Sequence, residues 1–319
     1  MKSVGCFAIL ICLFTSPLLN AAEPPLTELL AKKPSSRIVF LGDSITAVGR
    51  YVACFDTWLE FQKLERKPTV INAGLPSETV SGLSEEGHAG GKFPRPDLAE
   101  RLDRVLAVTK PDLVVACYGI NCGIYEPFDK GRLEKYQQGM TSLKASVEKS
   151  GAKFIVVTPP FYDDMRSPKA FSYNEVLDKY SEWLLTKRAD GWLVVDLHAP
   201  MTREVQKRRE SDPKFSFQPD GVHPNDEGHW YMAQQLIRFF GDESVAAAAT
   251  PQAMLATKKM PESLFPLVQQ RVNVLRDAYV SAAGHKRPGV AAGLPVSEAE
   301  AKAKELTMKI EALTRDPQK

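Results

Sequence analysis

Cysteine is scarce in this chain, and its few positions exclude a disulfide-held scaffold. The 319 residues contain five cysteines, of which Cys54, Cys117 and Cys122 lie outside an apolar N-terminal segment. Three cysteines allow at most one disulfide, so bridges cannot replace a hydrophobic core. Cys117 and Cys122 are the one short-range candidate pair. Because Cys117 lies inside an apolar run, we favour its interpretation as a small buried hydrophobic residue.

An excess of charge of one sign is also missing. The 41 Lys and Arg residues nearly balance 39 Asp and Glu residues, for a formal charge of +2. A nucleic-acid-binding surface needs clustered positive charge, and the short basic run at residues 207–209 has no interleaved aromatic residues. We interpret that run as a solvated helix face and expect no nucleic-acid partner.

The N-terminus carries the chain's one long apolar run. Lys2 precedes apolar residues 4–19, and small residues in Asn20-Ala21-Ala22 follow them. This order is typical of a secretory signal peptide, which we assign to residues 1–22. An uncleaved anchor is the alternative, although the run is short for a membrane-spanning helix. We expect a secreted or periplasmic protein that does not contact the membrane after cleavage.

Short apolar runs alternate with stretches long enough for crossover helices. With 44% hydrophobic and 25% charged residues, the composition is ordinary for a globular protein. The pattern predicts parallel strands covered by helices on both faces, an α/β fold. The five predicted strands are residues 37–41, 69–73, 113–118, 153–158 and 192–196.

The character of the chain changes after residue 242. Residues 243–261 are predicted as a linker that follows a main domain at 35–242, and residues 262–315 as a C-terminal helical extension. Apolar residues recur there at helical spacing in 262–283 and 297–313. Two helices with single apolar stripes cannot form a core alone. We expect a helical hairpin on the main domain, and a coiled-coil contact with another chain is the alternative.

A serine follows the first predicted strand in Phe40-Leu41-Gly42-Asp43-Ser44. Parallel sheets place their chemistry in the loops at the carboxyl ends of the strands. A serine at the start of the next helix lies where free backbone N–H groups can stabilise an oxyanion. The pattern therefore makes Ser44 a candidate nucleophile, and a plain N-cap turn is the alternative.

A candidate base lies far downstream, in Asp220-Gly221-Val222-His223-Pro224. A serine nucleophile needs an imidazole that a carboxylate holds in one tautomer. Asp220 and His223, three residues apart on a turn, supply both groups. Alternatively, Asp220 starts an ordinary turn and His223 is a surface residue.

Two further blocks complete an ordered set. Asn72-Ala73-Gly74 ends the second predicted strand, and Gly119-Ile120-Asn121 follows the third. The order Ser44, Gly74, Asn121, His223 resembles the SGNH hydrolases, also called the GDSL esterase/lipase family, over residues 37–240.

The resemblance implies a three-layer α/β/α sandwich with a five-stranded parallel sheet in flavodoxin-like order. It also implies that Ser44 is the nucleophile, His223 the general base and Asp220 the residue that orients it. The implied oxyanion hole consists of the Ser44 and Gly74 backbone N–H groups and the Asn121 side-chain amide.

One position departs from the family pattern. The third block usually reads Gly-x-Asn-Asp, whereas Cys122 follows Asn121 here. A thiol is a poor hydrogen-bond acceptor, so we expect the loop that carries Asn121 to be held less firmly.

Several other polar residues have structural interpretations. The Gly- and Pro-rich residues 84–96 are expected to form a loop that borders the site. His198 is expected to pair with Asp196, and His229 to pack against its neighbours on the last helix of the main domain. The acidic pair at residues 163–164 lacks histidines at ligand spacing, so we expect no metal.

The sequence predicts a serine esterase that needs no cofactor and acts on short acyl groups, with O-acetyl groups on carbohydrate favoured. The predicted export and the lack of a long apolar lid segment, together with the family resemblance, favour a small-molecule or polysaccharide ester as substrate. A lipase or thioesterase of the same family is one alternative. A non-catalytic carbohydrate-binding relative is the other.

Overall fold

The computed structural model describes residues 26–30 and 36–315. The predicted signal peptide at residues 1–22 lies outside the described residues. Five strands form one sheet: β1 (Arg37–Gly42), β2 (Thr69–Asn72), β3 (Leu113–Cys117), β4 (Lys153–Val157) and β5 (Leu193–Val195).

Helices connect and follow the strands. Within the described residues they are α1 (Leu26–Leu29), α2 (Ser44–Val48), α3 (Arg50–Leu59), α4 (Leu102–Thr109), α5 (Lys130–Lys149), α6 (Tyr173–Thr186), α7 (His198–Arg209), α8 (Asp226–Phe239), α9 (Glu243–Ala246), α10 (Pro251–Thr257), α11 (Leu264–Ala283) and α12 (Val296–Arg315). Short 3₁₀ helices occupy His88–Gly91, Leu98–Glu100 and Lys187–Asp190. No helix in the described part of the chain is both long and apolar enough to cross a membrane.

All strand pairs are parallel, in the order β2-β1-β3-β4-β5. This is the flavodoxin-like order that the resemblance implied. The predicted fold class is confirmed, and every strand limit lies within one residue of the limit predicted from the sequence. The chain order reverses between β1 and β3, so the loops after these strands open a crevice there.

The interior strands are buried along nearly their whole length, as expected when helices cover both faces. Val39, Phe40 and Leu41 of β1 and Val114, Val115 and Ala116 of β3 are fully buried. On one side, α3 and α8 pack against each other, while α4, α5 and α6 contact one another in succession. These layers hold the carboxyl ends of β1, β2 and β3 together at one edge of the molecule.

The C-terminal helices form the expected hairpin on the main domain. α11 and α12 lie along each other, and α11 also contacts β2, α3 and α4. β2 is an edge strand, and a helix beside it protects the edge from pairing with another chain.

The predicted linker at residues 243–261 contains two short helices, α9 and α10. The Asp242 side chain accepts a hydrogen bond from Val245 N, and Thr250 caps α10 directly before Pro251. N-terminal caps of this kind favour helix over an extended linker. These caps explain why two short helices form within the predicted linker.

A buried ion cluster fastens the hairpin to α3. Arg271 Nη2 on α11 lies 2.8 Å from Asp56 Oδ2 and 2.7 Å from Glu60 Oε1. The side chains of these three residues are at most 10% exposed. Removing Arg271 would leave the buried carboxylates of Asp56 and Glu60 without a positive charge beside them, which is destabilising.

We therefore expect Arg271→Ala to lower the free energy of unfolding by roughly 3–5 kcal/mol. Urea unfolding followed by circular dichroism measures the change. The matched control is Arg315→Ala, because Arg315 on α12 is 79% exposed and pairs with Glu311. A loss for Arg271→Ala no larger than for the control would show that the cluster does not stabilise the docked hairpin.

Candidate active site

Ser44 is the first residue of α2, directly after β1. Asp43 caps this helix, with its side chain accepting a hydrogen bond from Ile45 N at 2.9 Å. Gly49 ends the helix in the left-handed conformation, at φ +80°. The site thus places a serine hydroxyl beside free N–H groups at a helix start.

The turn that carries Asp220 and His223 is tightly organised. Asp220 Oδ1 accepts hydrogen bonds from Val222 N at 2.9 Å and His223 N at 2.7 Å, and Asp220 Oδ2 lies 2.7 Å from His223 Nδ1. Burial alone would raise the pKa of Asp220. The hydrogen bonds from His223 and Val222 outweigh it and lower that pKa below its usual range, so Asp220 stays ionised at neutral pH.

The structure brings this turn to Ser44. Ser44 Oγ lies 2.8 Å from His223 Nε2. Because the Asp220 carboxylate accepts from Nδ1–H, Nε2 is left as the acceptor for the serine hydroxyl. The side chains of His223 and Asp220 are 46% and 57% exposed, so this side of the site is open to solvent.

Gly74 lies against α2 at a distance that only glycine allows. A Cβ at this position would come within 2.5 Å of Ala47 N and 2.9 Å of the Thr46 carbonyl carbon. The Gly74 N–H donates to Asn72 Oδ1 at 2.9 Å. The backbone group expected in the oxyanion hole is therefore close to α2, but it already has a partner.

The loop after β3 brings the Asn121 amide to the same region. Asn121 Nδ2 donates to the Glu78 carbonyl at 3.3 Å, and Asn121 Oδ1 accepts from Tyr125 Oη at 2.9 Å. These bonds fix the amide orientation, since the oxygen is held by a hydroxyl donor. They use one of the two N–H groups on Nδ2, and the other remains for a ligand.

A buried network supports the loops that carry Gly74 and Asn121. Arg101 donates to both carboxylate oxygens of Glu78, at 2.6 and 2.8 Å, and to the Ala73 carbonyl at 2.8 Å. Tyr118 Oη also donates to Glu78, at 2.6 Å. All three side chains are at most 1% exposed, and the network ties the backbone before Gly74 to the segment that holds Asn121.

The loop at residues 84–96 lies next to Tyr125, whose hydroxyl donates to Asn121. Arg95 makes two 2.6 Å hydrogen bonds to Glu85. Its guanidinium lies 5.2 Å from the centre of the Tyr125 ring. Lys169, from the loop after β4, lies 5.5 Å from the same ring centre, so two cations flank Tyr125.

Comparison with known proteins identifies the family of the chain. Residues 40–231 match the sequence profile of the GDSL-like lipase/acylhydrolase family. The chain belongs to this family. As a GDSL-like acylhydrolase it is a carboxylic ester hydrolase. A comparison with curated protein sequences finds no match.

Solved structures show the same fold. A gut microbial diltiazem-metabolizing enzyme aligns with a TM-score of 0.51 at 24% identity, over 66% of this chain and 48% of its own. A catalytic mutant of Axe2, an acetylxylan esterase from Geobacillus stearothermophilus, aligns with a TM-score of 0.50 at 23% identity, over 65% and 95%. An alpha/beta hydrolase from the metagenome of Lake Arreo, Spain, gives 0.50 at 24%, over 65% and 95%.

Cys122 occupies the position where the family pattern has aspartate. It is fully buried, and the three described cysteines Cys54, Cys117 and Cys122 are free thiols rather than a disulfide. Burial raises the pKa of Cys122 to about 12, although the Val80 and Ser81 amides favour its thiolate. An aspartate could accept from those two amides, which the neutral thiol does only weakly.

Two other histidines, His198 and His229, have structural contacts. His198 Nε2 lies 3.0 Å from Asp178 Oδ1, so the expected pairing with Asp196 is wrong. The reason is that His198 begins α7 and its ring points to α6, whereas Asp196 Oδ1 accepts from Thr158 and Ala199. His229 is buried and stacks on Tyr51, and burial lowers its pKa to about 4.

The acidic residues after β4 are engaged in hydrogen bonds. Asp163 accepts from Arg209 at 2.6 Å and from Ser216 at 2.5 Å, and Asp164 accepts from Ser172 at 2.8 Å. The backbone of Asp163 also donates to the Gly221 carbonyl at 2.8 Å. These residues thus support the turn that carries Asp220 and His223.

Several supporting residues were not predicted from the sequence. The sequence block around Gly74 includes Asn72 but assigns it no role, although a polar residue at the end of an apolar strand is a usable signal. Glu78, Arg101 and Tyr125 are connected through contacts between separate loops, for which the sequence offers no spacing pattern.

The buried carboxyl next to Ser44 predicts a pH effect on stability. Asp43 is 3% exposed, and burial raises its pKa from the ordinary 3.8 to about 6. Because the folded protein holds this proton more tightly than the unfolded chain does, protonated Asp43 stabilises the fold, and the effect is complete below the unfolded-state pKa. As pH rises through about 6, this contribution is lost, and the free energy of unfolding falls by on the order of 3 kcal/mol.

Asp43→Asn keeps the cap acceptor and removes the titration. The difference in unfolding free energy, variant minus wild type, should therefore rise by that amount between about pH 4 and pH 7.5. Urea unfolding across this range measures it. A flat difference would show that Asp43 does not titrate there in the folded protein.

The departure at position 122 gives a second test. Cys122→Asp is expected to raise kcat a few-fold with KM unchanged, since two amide donors would then hold the Asn121 loop. Cys122→Ser is the control, because it replaces the thiol without adding charge. Equal kcat in wild type and both variants, with equal thermal stability, would mean that residue 122 does not influence the site.

Proposed function

We propose that this GDSL-like hydrolase is an exported serine esterase that removes short acyl groups, most specifically O-acetyl groups, from carbohydrate. The observation that carries the proposal is the continuous hydrogen-bonded chain from Ser44 Oγ through His223 to Asp220, at 2.8 and 2.7 Å. This geometry is what nucleophilic catalysis by serine requires.

In the proposed reaction, Ser44 Oγ attacks the ester carbonyl while His223 Nε2 takes the hydroxyl proton. The imidazolium formed is stabilised by Asp220 and then protonates the leaving alcohol. Water then attacks the acyl-enzyme while the same imidazole takes its proton. The bond between the acyl carbon and Ser44 Oγ breaks, the imidazolium returns that proton to Ser44 Oγ, and the carboxylic acid leaves. Asp220 remains ionised throughout, which its lowered pKa supports.

The proposed oxyanion donors are the Ser44 N–H, the free N–H of Asn121 Nδ2 and the Gly74 N–H. The last of these donates to Asn72 Oδ1, so an oxyanion must compete with that amide oxygen. A fully charged oxyanion is a stronger acceptor than a neutral amide. Gly74 therefore contributes mainly when charge develops, which favours the transition state over bound substrate.

The surroundings of the site support a hydrophilic substrate. His223 and Asp220 are about half exposed, and the half-buried Lys169 lies beside Tyr125. A large sugar can approach such an open site, whereas a long acyl chain gains most from a covered apolar groove. The N-terminal pattern at residues 1–22 supports export.

A substrate screen tests this proposal. We expect kcat/KM for p-nitrophenyl esters to fall from acetate to octanoate, together with acetate release from acetylated xylan. Ser44→Ala should lose several orders of magnitude in kcat and remain folded. The control is Ser142→Ala, since Ser142 is an exposed serine on α5.

The outcomes separate the alternatives. Highest activity on long acyl chains would point to a lipase, and activity confined to thioesters would point to a thioesterase. Polysaccharide binding without hydrolysis would point to a non-catalytic relative. Retained turnover in pure Ser44→Ala would remove Ser44 as the nucleophile.

A further inference from the structure

The C-terminal hairpin reaches the helix that begins with Ser44. Arg276 Nη1 on α11 donates to the Ala47 carbonyl of α2 at 2.8 Å. The hairpin lies outside residues 40–231, which match the family profile. The contact is therefore supplied by a part of the chain that the family profile does not include.

Arg276 is itself held in place. Its Nε donates to Asp277 Oδ1 at 2.8 Å, and its Nη1 also lies 3.3 Å from Asn273 Oδ1. The side chain is 23% exposed. Partial burial and several acceptors limit the orientations of the guanidinium, so the bond to Ala47 is directed.

α2 needs such support because it has five residues and few internal hydrogen bonds. Asp43 caps its start, and Asn72 Nδ2 donates to the Thr46 carbonyl at 2.6 Å. The Ala47 carbonyl belongs to the last turn, where carbonyls lack partners within the helix. A cation at this end is also favoured by the helix dipole.

The end of α2 touches α11 elsewhere as well. A Cβ at Gly49 would lie 3.6 Å from Val272 Cγ1 and 3.7 Å from Asn273 Oδ1. One further turn along α11, Arg276 meets Ala47. α11 thus borders the turn that ends α2 and bonds to the carbonyl next to it.

We propose that Arg276 is a positioning residue that fixes α2, and so the distance from Ser44 Oγ to His223 Nε2. This inference rests on the proposed role of Ser44 as nucleophile. If the far end of α2 is released, the helix can tilt and Ser44 moves relative to the imidazole and the oxyanion donors. A misplacement of about 1 Å can cost up to 10²-fold in rate.

The test compares Arg276→Met, Arg276→Lys and the control Arg315→Met with wild type on p-nitrophenyl acetate. Active sites are counted by titration with a phosphonate, so that kcat refers to folded, competent protein. We expect Arg276→Met to lower kcat roughly 10-fold with KM within about two-fold. Arg276→Lys, which keeps one cationic donor, should recover part of the loss, and Arg315→Met should match wild type.

A kcat per titrated site within two-fold of wild type for Arg276→Met would overturn the inference, because Arg276 would then only stabilise the fold. An equal loss in Arg315→Met would also overturn it, since the effect would belong to the hairpin in general. Ser44→Ala is measured in parallel. If Ser44→Ala is inactive while Arg276→Met has normal kcat, only the inference about Arg276 fails. If Ser44→Ala is active, the proposed function fails as well.

Discussion

The bridge that Asn72 makes between two loops is the interaction on which the site depends most. Its Nδ2 donates to the Thr46 carbonyl of α2, and its Oδ1 accepts from the Gly74 N–H. One fully buried amide therefore joins the loop after β1 to the loop after β2. The lack of a side chain at Gly74 makes this close approach feasible, because a Cβ would collide with the backbone of α2.

A buried ion pair next to this bridge holds the neighbouring loops in place. The ion pair between Glu78 and Arg101 lies in the interior, where the desolvation cost of two charges is offset only as far as their polar atoms find hydrogen-bond partners. Arg101 Nη1 has no partner in the described structure, so this offset is incomplete. Arg101 also binds the Ala73 carbonyl and the Glu78 carbonyl binds Asn121. The pair thus connects the Gly74 loop to the Asn121 loop.

The sequence predicted what depends on local pattern. Apolar runs gave the strands, and the blocks around Ser44, Gly74, Asn121 and His223 gave the candidate site residues. The partner of His198 and the helices within residues 243–261 were missed, because a long-range contact and short capped helices leave weak patterns. Arg276 and Ala47 are separated by 229 residues along the chain, and no spacing rule connects such positions.

Covalent labelling tests the central claim, that Ser44 is a nucleophile activated by His223. The protein is incubated with a fluorophosphonate, its intact mass is measured, and the adduct is located by peptide mapping. The account predicts one adduct per chain, on Ser44, and a rate of labelling that falls by orders of magnitude in His223→Ala. An adduct on a different residue, or none in folded protein that hydrolyses esters, would contradict it.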